Sequence, residues 1–159
     1  MWGRRIVEAA ARNGVHVLAA ARHEASLRQL GQEVPSVEAL ALDAAEEGAP
    51  AKVFGALQPD ILVVCAGAFP PAAPIHEQSW REFAVNWESD VKIAFHFCKA
   101  ALARPLSARA SVVLISSGAA IASSPISGGC RRQTHAIVRR QLPPEGIGSA
   151  LARLAVHGD

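Results

Sequence analysis

Two apolar runs, DILVVCAGA (residues 60–68) and ASVVLISSGAA (residues 110–120), constrain the fold more than anything else in the chain. Neither alternates polar with apolar residues, as a strand with one wet face would. A run that is apolar throughout is what a strand covered on both faces shows, and sheets covered on both faces are mostly parallel sheets with helices packed on each side. The segments between and before the runs supply such helices. GRRIVEAAARNG places Ile6, Val7, Ala10 and Ala11 on one face and ends at Gly14, which predicts a helix over 3–13. VHVLAA (15–20) then reads as a strand, HEASLRQLGQEV as a helix over 24–32, VEALAL (37–42) as a strand, and residues 46–57 as a third helix. After the proline-rich stretch AFPPAAPI, residues 76–103 form a helix of several turns that is apolar on more than one side. Strands alternating with helices of this length imply right-handed βαβ crossovers.

The 159 residues suffice for one hydrophobic core, and half of them are hydrophobic. No apolar run reaches the length of a membrane span, and the N-terminus lacks the apolar stretch and cleavage site of a secretory signal, so the expectations are no membrane partner and a cytoplasmic location. Cys65, Cys98 and Cys130 are odd in number and widely spaced, without histidines at ligand spacing. They suggest neither a disulfide framework nor a metal site.

The motifs carry more. VVCAGA, VNWES and VVLISSGAAIASSPISGG, in that order and spacing, resemble the short-chain dehydrogenase/reductase family over residues 3–129. The resemblance implies a Rossmann-type α/β fold, a doubly wound parallel sheet, and hydride transfer between NAD or NADP and a small-molecule carbonyl or alcohol substrate. It also implies roles for particular residues. Gly3 matches the last glycine of the family's phosphate-binding turn. Arg22 follows the strand VHVLAA where the family places either an acid for the ribose hydroxyls or a cation for a 2′-phosphate, which favours NADP over NAD. Asp43 matches the residue at the adenine ring, although an Asp at a strand end is also a common helix cap. Ala66 and Gly67 match the Asn-Ala-Gly turn, with Cys65 in the asparagine place. Asn86 matches the asparagine that kinks the long helix and holds a relay water, and Ser117 the serine that hydrogen-bonds the substrate oxygen.

The same resemblance demands a tyrosine thirteen residues beyond that serine and a lysine four residues further, because the lysine's charge lowers the phenol's pKa from about 10. Cys130 and Thr134 stand there instead, the chain has no tyrosine, and no lysine follows Lys99. This copy is therefore expected to be inactive, and the missing glycines in front of Gly3 argue against tight nucleotide binding. The tail has a specific explanation. Family members often read Gly-Gly-Tyr-Ala-Gly-Ala-Lys-Arg-Thr at this point; loss of the two bases AC from a GC-rich coding of that peptide gives Gly-Gly-Cys-Arg-Arg-Gln-Thr, which is residues 128–134. Residues 1–129 then form a partial dinucleotide-binding domain and 130–159 a degenerate, frame-shifted tail. Residues 1–100 carry nine basic and twelve acidic side chains and residues 101–159 seven and two, every late cation being arginine. No aromatic residues interleave with those arginines, so a nucleic-acid partner is not expected.

Three expectations about assembly follow. The fold is incomplete, because the chain opens on a helix where relatives open on a strand, and that first strand lies centrally in the family order 3-2-1-4-5. With Pro143, Pro144 and nearby glycines in the tail, no later strand is expected to replace it, which leaves a gap of about 9 to 10 Å in the sheet or direct pairing of its neighbours. Finally, the 76–103 helix is of the type that pairs with a second copy in this family, so the other reading of the chain is a non-catalytic nucleotide-binding or dimerisation module.

Overall fold

The computed structural model describes residues 2–69, 73–104, 106–107, 109–116 and 153–157. Ser117, Cys130 and Thr134 lie outside the described residues. The elements in chain order are α1 (Trp2–Arg12), β1 (His16–Ala21), α2 (Glu24–Glu33), β2 (Val37–Ala41), α3 (Ala49–Ala56), β3 (Ile61–Val64), a 3-10 turn (Ile75–Glu77), α4 (Trp80–Asn86), a π-helical segment (Trp87–Val91), α5 (Lys92–Ala103), β4 (Ser111–Leu114) and β5 (Arg153–His157).

Helix α1 ends where Gly14 adopts φ 73°, a left-handed conformation that costs glycine nothing. Gly14 N–H donates to Ala11 O at 3.0 Å and Val15 N–H to Ala10 O at 3.1 Å, the paired bonds of a Schellman stop, so the chain turns straight into β1. Within β1 the side chains divide by parity. Val17, Ala19 and Ala21 join a core with Val7 of α1 and Leu27 and Leu30 of α2. Leu18 and Ala20 join a second core with Val53 and Phe54 of α3 and Ile93, Phe97 and Ala101 of α5. A period of two along the strand thus supplies both faces, with α1 and α2 on one and α3 and α5 on the other, so the sheet is covered on both sides as the resemblance implies.

All the strand pairings are parallel, and the order is β2-β1-β5-β3-β4. This is an α/β, Rossmann-type, doubly wound sheet. It has one feature the sequence reading missed. The expected gap between β1 and β3 is closed, and they do not pair directly; β5 stands between them, pairing His16↔Arg153 to Ala20↔His157 on one side and Ile61↔Leu154 to Val64↔His157 on the other. The last strand in the chain occupies the place the family gives to its first. Its sequence, RLAVH, is short and bracketed by charged or polar residues, and its partners are distant in sequence, so neither length nor local pattern marked it as a strand.

The second difference concerns β4. The run ASVVLISSGAA reads as a strand buried on both faces, yet Ser111, Val112 and Val113 are exposed and only four residues form the strand. Its position explains this: β4 is the edge of the sheet and pairs with β3 alone among the described residues.

Candidate functional site

Because every strand runs the same way, all the carboxyl ends lie along one edge, and the direction of winding reverses between β1 and β3. In open α/β sheets that is where ligands bind. A cleft of about 240 Å³ opens there, walled by Arg22 after β1, Asp43 and Ala45 after β2, Gly67 and Ala68 after β3, and Val85, Glu88, Ser89 and Ile93 from the long helix. One cation and two acids therefore share it. A guanidinium suits a phosphate or other anion, while carboxylates accept hydrogen bonds from hydroxyl and amino groups.

The floor of the cleft is fixed by a polar cluster. Asn86 is 2% exposed, the one polar side chain in the described core. Its Nδ2 donates to Asp90 Oδ2 at 3.0 Å and points toward Ala68 O at 3.5 Å. Asp90 Oδ1 in turn accepts from the Ala68 N–H at 2.7 Å. Ser89 Oγ lies 2.9 Å from Val85 O and 2.8 Å from Asp90 Oδ1, so its single proton serves one acceptor at a time. These contacts coincide with the π-helical segment Trp87–Val91, where the wider turn changes the facing of the residues around it. Gly67 completes the cluster. A Cβ there would meet the Asp90 carboxylate at 3.1 to 3.2 Å, so a side chain would press on the group that holds the loop.

The residues singled out from the sequence divide accordingly. Arg22, Asp43 and Gly67 come together in the cleft wall. Asp43 also caps its own turn, Oδ1 accepting from Ala45 N–H at 2.9 Å. Ala66 is half-buried and packs against the core under α3 and α5, and Asn86 holds the loop behind the cleft. Gly3 is buried in the first turn of α1 and is not part of the cleft wall. Cys65 is half-buried at the end of β3, and burial pushes its thiol pKa up to about 11, which makes it a poor proton donor or nucleophile near neutrality. The sequence reading missed Glu88, Ser89 and Asp90. The signal was available: Asn86 and Asp90 sit four apart in the long helix, a spacing that puts two polar groups on one face. Among the described residues no group of three or more histidine, cysteine or acidic side chains could hold a metal ion, and no helix is long and apolar enough to cross a membrane.

A sequence model for a family described as enoyl-(acyl carrier protein) reductase matches residues 2–139. The chain belongs to the short-chain dehydrogenase/reductase family. The fold agrees with solved structures of that family. A serine dehydrogenase in its closed form, complexed with NADP+, superposes with a TM-score of 0.71 at 20% identity, over 79% of this chain and 55% of that one. A short-chain dehydrogenase/reductase from Vibrio parahaemolyticus gives a TM-score of 0.75 at 18% identity, over 84% and 64%. Serine dehydrogenase from Escherichia coli gives 0.71 at 22% identity, over 84% and 62%. This dehydrogenase/reductase chain thus spans between half and two thirds of the length of those relatives. No curated protein matches it.

Proposed function

We propose that this chain binds the adenosine half of a nicotinamide dinucleotide, NADP in preference to NAD, and does not itself transfer hydride. The observation that carries the reading is the shared cleft of Arg22, Asp43 and Gly67 at the winding reversal. In that reading Arg22 pairs with the 2′-phosphate, Asp43 receives the adenine edge, and the Gly67–Ala68 loop backs the sugar. When bound, the nicotinamide supplies or takes up the hydride. The phosphate end fits less well: Gly3, which matches the family's phosphate-binding turn, is buried in α1 and is not part of the cleft wall. Catalysis is missing for a separate reason. The chain contains no tyrosine and no lysine beyond Lys99, so nothing reproduces the acid/base pair that relatives need beside Ser117.

Titration of the purified chain with NADPH and NADH tests this, followed by protein fluorescence. NADPH should bind more tightly, and Arg22→Ala should weaken NADPH while leaving NADH within about twofold. Equal loss for both nucleotides, or no saturable binding of either, would refute the nucleotide reading. Carbonyl reduction abolished by Ser117→Ala would refute the inactive one.

A dimerisation role is supported by a different observation. Phe95 and Leu102 are 58% and 71% exposed, seven residues apart on α5, and so lie on one helix face. A second copy is the occupant that family resemblance suggests. Sedimentation velocity should show a dimer that Phe95→Glu with Leu102→Glu converts to monomer; a wild-type monomer at high concentration would dismiss it.

A further inference from the structure

The sheet has two halves whose strands do not pair with each other. β1 pairs with β2, and β3 pairs with β4; among the described residues β5 alone joins them, and it comes from far down the chain. A strand of five residues flanked on both edges makes twice the ladder of an edge strand, so the slot between β1 and β3 offers an extended segment main-chain hydrogen bonds on each side. The register adds selectivity. Ala155 stands in line with Leu18 and Leu62, so the smallest residue falls between two leucines of one core. Val156 stands in line with Ala19 and Val63, and Leu154 with Val17 and Ile61, positions of the opposite core.

We infer that the slot between β1 and β3 is a strand-binding site whose ligand is a parallel segment of the type Leu154-Ala155-Val156, and that it accepts this segment from a separate molecule as well as from its own chain. β5 is not tied to either neighbour by a tight turn. Its hold on the slot is the two ladders, which a separate strand of the same sequence can reproduce. The partner is therefore an extended, uncharged-centred segment with a small residue in the middle, of which a second copy of this chain is the first instance.

The test uses the full chain and a synthetic peptide of residues 150–159 bearing a fluorophore. Ala155→Pro in the chain removes a ladder N–H and is incompatible with a central strand. Amides of 17–20 and 61–64 should lose hydrogen-exchange protection together in that variant and regain it on adding the peptide. In a second measurement, wild-type chain is refolded from urea with excess peptide. Label should be incorporated, and incorporation should fall at least tenfold for a peptide with proline in place of Ala155 and severalfold for one with leucine there. Unchanged protection in the Ala155→Pro chain would overturn the proposal. So would failure of the peptide to enter the refolding wild-type chain, or equal entry of the proline peptide.

Discussion

The Ala68 N–H donates to Asp90 Oδ1 across 2.7 Å, and this bond ties the loop after β3 to the π-helical turn of the long helix. Asp90 also accepts from Asn86 Nδ2, so one carboxylate satisfies a backbone donor and a nearly buried amide. Asp90→Ala leaves both donors without that acceptor, and should lower stability by about 1 to 3 kcal/mol in urea denaturation. Asp90→Asn keeps an oxygen for Ala68 and should cost less. Equal losses would mean that the negative charge, not the acceptor, matters.

Gly67→Ala tests the same cluster from the other side. The added methyl would lie 3.1 Å from Asp90 Oδ1, closer than ordinary contact, while the backbone conformation tolerates alanine. Stability should fall by about 1 kcal/mol or more, within the range for overpacking. The double variant Gly67→Ala with Asp90→Ala should lose less than the sum of the two, because the crowded atoms are gone. Strict additivity in urea melts would show that the two residues do not meet.

The start of the long helix should respond to acid. Ser79 and Glu82 form a capping box: Glu82 N–H donates to Ser79 Oγ and Ser79 N–H to the Glu82 carboxylate. The Ser79 hydroxyl and backbone N–H both hold the Glu82 pKa below the usual carboxylate value. A lowered folded pKa gives stability that is present above the unfolded value of about 4.3 and lost as pH falls through the folded one. Ser79→Ala should cost about 1 kcal/mol at neutral pH and less at low pH. A cost that is the same at both would contradict the carboxylate's part in the cap.

Cys65 should alkylate slowly. Burial raises its thiol to about 11, so at pH 8 it holds less thiolate than a free cysteine. Mass-spectrometric labelling should place it well behind an unfolded control, with the rate rising past pH 9. Because the raised pKa keeps the proton on in the folded state, its contribution to stability is present below the unfolded pKa and is lost between about pH 9 and 11. Cys65→Ser should flatten that alkaline decline; an unchanged decline would assign it elsewhere.

How much of this was legible in the sequence depended on whether the signal was local. The spacing of Ile6, Val7, Ala10 and Ala11, the stop at Gly14 and the apolar run Ile61–Val64 each reflect short-range periodicity, and the structure has α1 and β3 there. The gathering of Arg22, Asp43 and Gly67 followed from family order alone, because residues at successive strand ends meet only once the sheet is wound. Asp90 was legible only in its spacing from Asn86; its tie to the Ala68 N–H has no mark in residue type. Arg153–His157 was missed for a stronger reason. ALARLAVH has a helix-compatible pattern, and what makes it a strand is a pair of neighbours more than eighty residues away.

β5 completes the sheet, and interstrand contacts measured by NMR on the labelled full chain read this out strand by strand. With β5 in place, β1 and β3 stand about 9 to 10 Å apart, two strand spacings, beyond the closest backbone contacts. Backbone cross-peaks should link Ala155 to the stretch around Leu18 and also to the stretch around Leu62, with none linking β1 to β3. Direct cross-peaks between Leu18 and Leu62 backbones, with Ala155 joined to neither, would show the two halves paired without β5.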